Sequence, residues 1–160
     1  MKYIKKKLFI EGVSVQNIAN KHGTPAYCYS FARLRENINN FKKNFKSLSP
    51  LICFSVKSNT NENLIREIKK FGLGADVVSK GELMMALKAG VNPNKIVFSG
   101  VGKTTEEINF AIEKKILLIN AESKSEIEII NNIAKKKNKI IQVGIRLNPN
   151  TDAKTLKQIS

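Results

Sequence analysis

At 160 residues, with 42% hydrophobic and 7% aromatic side chains and no tryptophan, the chain suffices for one domain with a core of Ile, Leu, Val and Phe. No apolar run approaches the ~20 residues of a membrane helix, and only Leu8, Phe9 and Ile10 separate the basic N-terminus from Glu11, too few for a signal-peptide core; a cytoplasmic protein is expected. The formal charge of +15 raises nucleic acid or another polyanion as a partner, but the lysines are dispersed, often beside glutamate, and arginine occurs only at 33, 35, 66 and 146, which argues against a phosphate-reading surface.

In chain order, Tyr3-Ile4 and Leu8 to Ile10 read as short strands, Val15 to Lys21 as one or two helical turns, Gly23-Thr24-Pro25 as a turn, and Ala26 to Tyr29 as another strand. A helix follows from Ser30 as N-cap, with Leu34, Ile38, Phe41 and Phe45 on one stripe, and ends before Ser47. From Leu51 the pattern becomes regular. Strands are predicted over Leu51 to Val56, Ala75 to Val78, Lys95 to Phe98, Ile116 to Ile119 and Ile140 to Leu147. The helices between them begin at Asn61 and at three capping-box sequences, Ser79 to Glu82, Thr104 to Glu107 and Ser123 to Glu126.

This βα repeat is short enough that each helix crosses directly to a parallel neighbour, which makes the class α/β. A doubly wound sheet and an eight-fold barrel share that grammar. Neither a Gly-x-Gly-x-x-Gly nor a phosphate-loop Gly-Lys-Ser/Thr motif is present, so the usual supports of a nucleotide-binding open sheet are missing. Polar residues gather instead where strands end: Lys57-Ser-Asn59, Asp76 and Ser79, Ser99 to Lys103, Asn120 to Glu122, and Arg146 to Asn148. That is how a barrel mouth builds a site. Cys28 and Cys53 lie in apolar runs without metal-ligand spacing and read as buried free thiols; His22, the single histidine, leaves no histidine triad or histidine metal site, and no metal is expected.

Lys57 is the odd residue of its strand. Alternation puts Ile52, Phe54 and Val56 on one side, and Cys53, Ser55 and Lys57 on the other. A partly desolvated lysine at a strand exit condenses with an aldehyde as a Schiff base; the alternative is a lysine that ends a strand by pointing into water.

Phe54-Ser-Val-Lys57-Ser-Asn59 resembles the Tyr-Ala-Val-Lys-Ala-Asn signature of the fold-type III pyridoxal-phosphate enzymes, the group of alanine racemase and the ornithine, arginine and diaminopimelate decarboxylases. Gly74-Ala-Asp-Val-Val-Ser-Lys-Gly-Glu-Leu83 is similar to the Gly-Ala-Asp-Val-Val-Ser-Gly-Gly-Glu-Leu stretch of the diaminopimelate branch, and Lys95 to Thr104 resembles its next strand and loop. Gly23 to Tyr27, Asn120 to Ser123 and Arg146 to Pro149 fall in the family's order. The resemblance implies a (β/α)8 barrel of the alanine racemase type, present here as about five strands, with pyridoxal 5'-phosphate as cofactor and decarboxylation of meso-2,6-diaminopimelate to L-lysine as the reaction. It implies that residues 1–29 form an N-terminal β arm, which in the family joins the C-terminal β-domain, and that residues 30–160 form an incomplete barrel. Lys57 is implied as the catalytic, cofactor-holding lysine, and Asp76 and Arg146 as cofactor-binding residues; for those two a salt bridge lining the barrel mouth is the alternative. Ser79 and Glu82 are assigned mainly to capping.

Two departures stand out. Lys80 replaces a family glycine, and in Asp152 to Ser160 Leu156 stands where the family has a histidine before the sequence stops inside the motif. The implied partners are a small amino-acid substrate and, for the whole enzyme, a second copy or a separately encoded C-terminal portion, with no membrane. Three alternatives stay open: a truncated, inactive remnant, a related ornithine or arginine decarboxylase, and a basic polyanion-binding protein.

Overall fold

The computed structural model describes residues 1–149, so the Asp152 to Ser160 stretch and its Leu156 lie outside the described residues. The chain divides into two compact units, Met1–Pro50 and a second from Leu51 onward.

In the first unit, β1 (Lys2–Ile4), β2 (Lys7–Ile10) and β3 (Val13–Ser14) form an antiparallel sheet in that order. Both connections are two-residue turns with left-handed backbone, Lys5 and Lys6 at φ 45° and 62° and Glu11 and Gly12 at φ 48° and 84°. Such turns match the twist of a hairpin, although a lysine pair tolerates that backbone less well than Asn-Gly. Helix α1 (Val15–His22) starts where the Ser14 hydroxyl accepts from the Asn17 N–H. Helix α2 (Phe31–Asn44) is capped by Ser30, as predicted, and by a second residue that the local sequence did not indicate. Glu11 Oε1 accepts both the Ser30 hydroxyl and the Ala32 N–H at 2.7 Å, and these bonds hold its carboxyl below the usual range, the Ala32 N–H foremost.

Ala26 to Tyr29 is not a strand: those residues have no regular structure, and Cys28 is exposed rather than buried. Apolar content yields a strand only where a neighbouring edge takes up the backbone bonds, and among the described residues none pairs with this segment.

The second unit is a parallel sheet of β4 (Cys53–Ser55), β5 (Gly74–Val77), β6 (Ile96–Phe98), β7 (Leu118–Ala121) and β8 (Gln142–Ile145), neighbours in sequence order. Helices α3 (Glu62–Lys70), α4 (Lys80–Lys88), α5 (Thr105–Glu113) and α6 (Lys124–Lys136) make the crossovers. An unbroken sequential order has no reversal point, so this is a segment of a barrel wall and not a doubly wound sheet. One face carries the core: Ala75, Val77, Ile96, Phe98, Ile119 and Ala121 are buried with Leu83, Ala86, Ile108, Ile112 and Ile130 of the helices. The opposite face is half-buried and bears Asp76, Val97, Ser99, Leu118 and Asn120.

Two strand boundaries differ from the pattern reading for identifiable reasons. Strand β7 begins at Leu118 rather than Ile116, because Lys115 turns through φ 54° and the Ile116 N–H still donates to Ala111 at the end of α5. Strand β4 gives way after Ser55 to a 3-10 turn over Val56–Ser58, closed by the Asn59 N–H donating to the Val56 carbonyl and the Ser58 hydroxyl to the Ser55 carbonyl. Of the three predicted capping boxes only Thr104 and Glu107 close reciprocally. In the others the serine accepts from the third helical N–H as expected, but the glutamate reaches one residue further back, Glu82 to the Val78 N–H and Glu126 to the Glu122 N–H.

Candidate cofactor site

The strand exits of the second unit converge on one polar row. Ser55 at the end of β4 pairs in register with Asp76 of β5, which places both side chains on the same face. Each oxygen of the Asp76 carboxylate takes one hydroxyl: Ser55 Oγ donates to Oδ2 at 3.3 Å and Ser99 Oγ, just beyond β6, donates to Oδ1 at 2.7 Å. Asn120 of β7 donates through Nδ2 to Ser99 Oγ at 3.0 Å. The row ends at Gly144 of β8, the register partner of Asn120.

Lys57 lies two residues beyond Ser55, in the 3-10 turn rather than on the strand, and its side chain is exposed. Val56 before it is fully buried and anchors the turn in the core. Cys53, two residues earlier, is half-buried, with its thiol over the Lys95 carbonyl at 3.8 Å; burial, and secondarily the Asp76 charge, push that thiol above its usual range. A raised thiol disfavours the nucleophilic thiolate.

Arg146 sits at the exit of β8, three strands away from Asp76 in the sheet order. Its Nη1 donates to Glu122 Oε1 at 3.3 Å and its Nε to Asn148 Oδ1 at 3.2 Å, while its N–H donates to the Ala121 carbonyl. Asp76 and the turn bearing Lys57 are thus joined through Ser55, whereas Arg146 has Glu122 as its carboxylate. Lys80, the departure from the family glycine, is accommodated: its ammonium pairs with Glu106, its N–H donates to Glu107, and its side chain lies over the Phe110 ring.

The sequence placed Lys103 at a strand end but gave no sign of its burial. Lys103 is buried, and its Nζ donates to the carbonyls of Gly100 at 2.6 Å and Asn120 at 2.7 Å and to Glu126 Oε1 at 3.2 Å. The loop after β6, the end of β7 and the start of α6 are tied together by this one ammonium. A lysine after Gly-Val-Gly looks like a loop residue in a sequence, and its burial depends on Glu126, 23 residues away. Among the described residues no group of His, Cys, Asp and Glu has the composition of a metal site, and no helix is long and apolar enough to cross a membrane.

An exposed primary amine at a strand exit, with a twice hydrogen-bonded carboxylate on the adjacent strand, fits a ligand that presents an aldehyde to the amine and a polar edge to the row. Fold and site together define a parallel α/β barrel segment of the lysine-bearing kind. Residues 31–160 match the family model described as pyridoxal-dependent decarboxylase, pyridoxal binding domain, and the chain belongs to that family. It is 43% identical over 155 residues to diaminopimelate decarboxylase of Aquifex aeolicus, a match covering 97% of this chain and 36% of that protein. It is 44% identical over 158 residues to the Haemophilus influenzae enzyme of the same name, covering 99% and 38%. Among solved structures, diaminopimelate decarboxylase from M. jannaschi superposes with a TM-score of 0.90 at 36% identity, covering 99% of this chain and 38% of that one. The Helicobacter pylori enzyme complexed with L-lysine superposes with a TM-score of 0.86 at 40% identity, covering 89% and 36%. The chain thus spans well under half the length of the relatives it matches.

Proposed function

We propose that this chain supplies the lysine-bearing part of a pyridoxal 5'-phosphate-dependent decarboxylase acting on meso-2,6-diaminopimelate to give L-lysine. The observation that carries the reading is Lys57 at the exit of β4, two residues from the Ser55 hydroxyl that binds Asp76 on the neighbouring strand. Because the match covers only 36% to 38% of the named decarboxylases, the activity is assigned to this chain together with the portion those relatives carry beyond it, in one polypeptide or in a partner. A homodimer is the proposed assembly of the whole enzyme. Residues 1–29 are proposed as the arm that joins a β-domain and residues 30–160 as barrel; the family match from residue 31 supports that division.

Bound pyridoxal phosphate would supply the electron sink that takes up the pair left on the α-carbon when carbon dioxide leaves. In this chain Lys57 would hold the cofactor at its aldehyde carbon, give way to the substrate amine, and then be free to carry a proton to the α-carbon. Asp76 would present a fixed negative charge beside that amine. Arg146, held by Glu122 and Asn148, would contribute positive charge at the far side of the mouth.

The test is borohydride reduction of this chain with pyridoxal phosphate followed by peptide mapping, and, on an unreduced sample of this chain together with the portion its relatives carry beyond it, carbon dioxide release from meso-diaminopimelate, ornithine and arginine. Preferential label on Lys57 and release from diaminopimelate are expected. Label spread evenly over the surface lysines removes the role of Lys57, and release from ornithine or arginine alone reassigns the substrate.

A further inference from the structure

Asp76 is oriented by a chain of donors that all point toward it. A serine hydroxyl has one proton. Ser99 gives that proton to Asp76 Oδ1 at 2.7 Å, and Asn120 Nδ2 donates to Ser99 Oγ at 3.0 Å, which fixes the rotor so that the proton stays on the Asp76 side. Ser55 closes the other oxygen. Asn120 is itself held, because Lys103 Nζ donates to its backbone carbonyl at 2.7 Å.

The amide of Asn120 occupies space that only a glycine at its register partner leaves open. A Cβ built on Gly144 would stand 2.3 Å from Asn120 Oδ1. The backbone of Gly144 is not left-handed, so the room, and not the conformation, is what requires glycine there.

We propose that Ser99 and Asn120, with Gly144 keeping the space clear, are positioning residues for Asp76: they fix the orientation in which its carboxylate meets the cofactor held by Lys57. The proposal rests on the cofactor reading above. Neither residue touches the reacting atoms; both act through Asp76, across three neighbouring strands.

The test uses Ser99→Ala, Gly144→Ala and the conservative Ser99→Thr in the full chain, each first compared with wild type by thermal melting. Reductive labelling with pyridoxal phosphate, mapped by peptide, then reads the share of label on Lys57. Ser99→Ala and Gly144→Ala should each lower that share severalfold, toward the even spread of label over all the lysines, and Ser99→Thr should retain it. An unchanged share in both alanine variants, at wild-type melting temperature, overturns the proposal. The Asp76 carboxyl carbon and the Asn120 side-chain amide are followed in parallel by NMR without cofactor. Both signals should move in Ser99→Ala and Gly144→Ala, and a carboxyl signal that stays in place overturns the positioning role directly. Even labelling of all lysines in the wild type strikes at the cofactor reading alone, and the NMR arm still decides the relay.

Discussion

Lys103 carries a charge into a place where water does not reach it, and three acceptors replace the lost hydration: two carbonyls and the Glu126 carboxylate. Glu126 in turn spends its second oxygen on the Glu122 N–H, and Glu122 holds Arg146. A single buried pair therefore braces the mouth from the loop after β6 to the exit of β8. Removing one partner of such a pair leaves the other charge buried and uncompensated, at a cost of about 3–5 kcal/mol. Lys103→Met should lower stability by that order in urea unfolding. Adding Glu126→Gln should restore part of it, and a double variant as unstable as the single one would show that the pairing is not the source. Lys57 is the contrast. It is exposed, so its substitution should leave unfolding unchanged while abolishing specific labelling.

Among the elements, helix α5 has the most complete start, and Glu107 serves two helices at once. Its Oε2 accepts the Thr104 N–H and hydroxyl, and its Oε1 accepts the Lys80 N–H at the beginning of α4. These bonds, the Thr104 N–H first and the Lys80 N–H second, hold its carboxyl below the ordinary 4.5. A depressed folded value means that the contribution is fully present above the ordinary carboxylate range and is lost as pH falls below 4.5 through the folded value. The melting temperatures of wild type and Glu107→Gln should therefore differ at neutral pH and converge in acid; a difference that persists at pH 2 to 3 would contradict this. Thr104→Ala removes the other half of the box and should cost about 1 kcal/mol.

For the molecule as a whole, the exposed side of the barrel segment matters most. Among the described residues β8 pairs only with β7, and its outward Val143 and Ile145 are 37% and 69% exposed. A groove of about 390 Å³ runs beside Val143, lined by Ile127, Ile130, Ala134, Ile141 and Val143 together with Glu128, Asn131 and Lys139. An apolar strand with free backbone groups is a template for association. The 160-residue chain should self-associate as its concentration rises, and Val143→Lys with Ile145→Lys should reduce light scattering without changing the circular dichroism of the sheet. Undiminished scattering in that double variant would locate association elsewhere.

Much of this was legible in the residues. The spacing of apolar runs and helix caps is local physics, so the four βα units and the strand after them, the N-caps at Ser30, Ser79, Thr104 and Ser123, and the placement of Lys57 just past a strand followed from neighbours in the chain. The failures were also physical. Ala26 to Tyr29 has strand composition but no edge to pair with, so Cys28 is exposed, and the start of β7 was set by bonds from the end of α5. The sequence by itself determined the α/β class and put Lys57 at a strand exit, because periodicity and capping act over a few residues; the barrel and the role of that lysine were implied by the family resemblance. Only the tertiary structure decided which polar groups meet: the register that lines up Ser55, Asp76, Ser99, Asn120 and Gly144, and the burial of Lys103 against Glu126. Those contacts join residues 17 to 24 positions apart through parallel pairing, and pairing depends on how the helices pack each strand against the next.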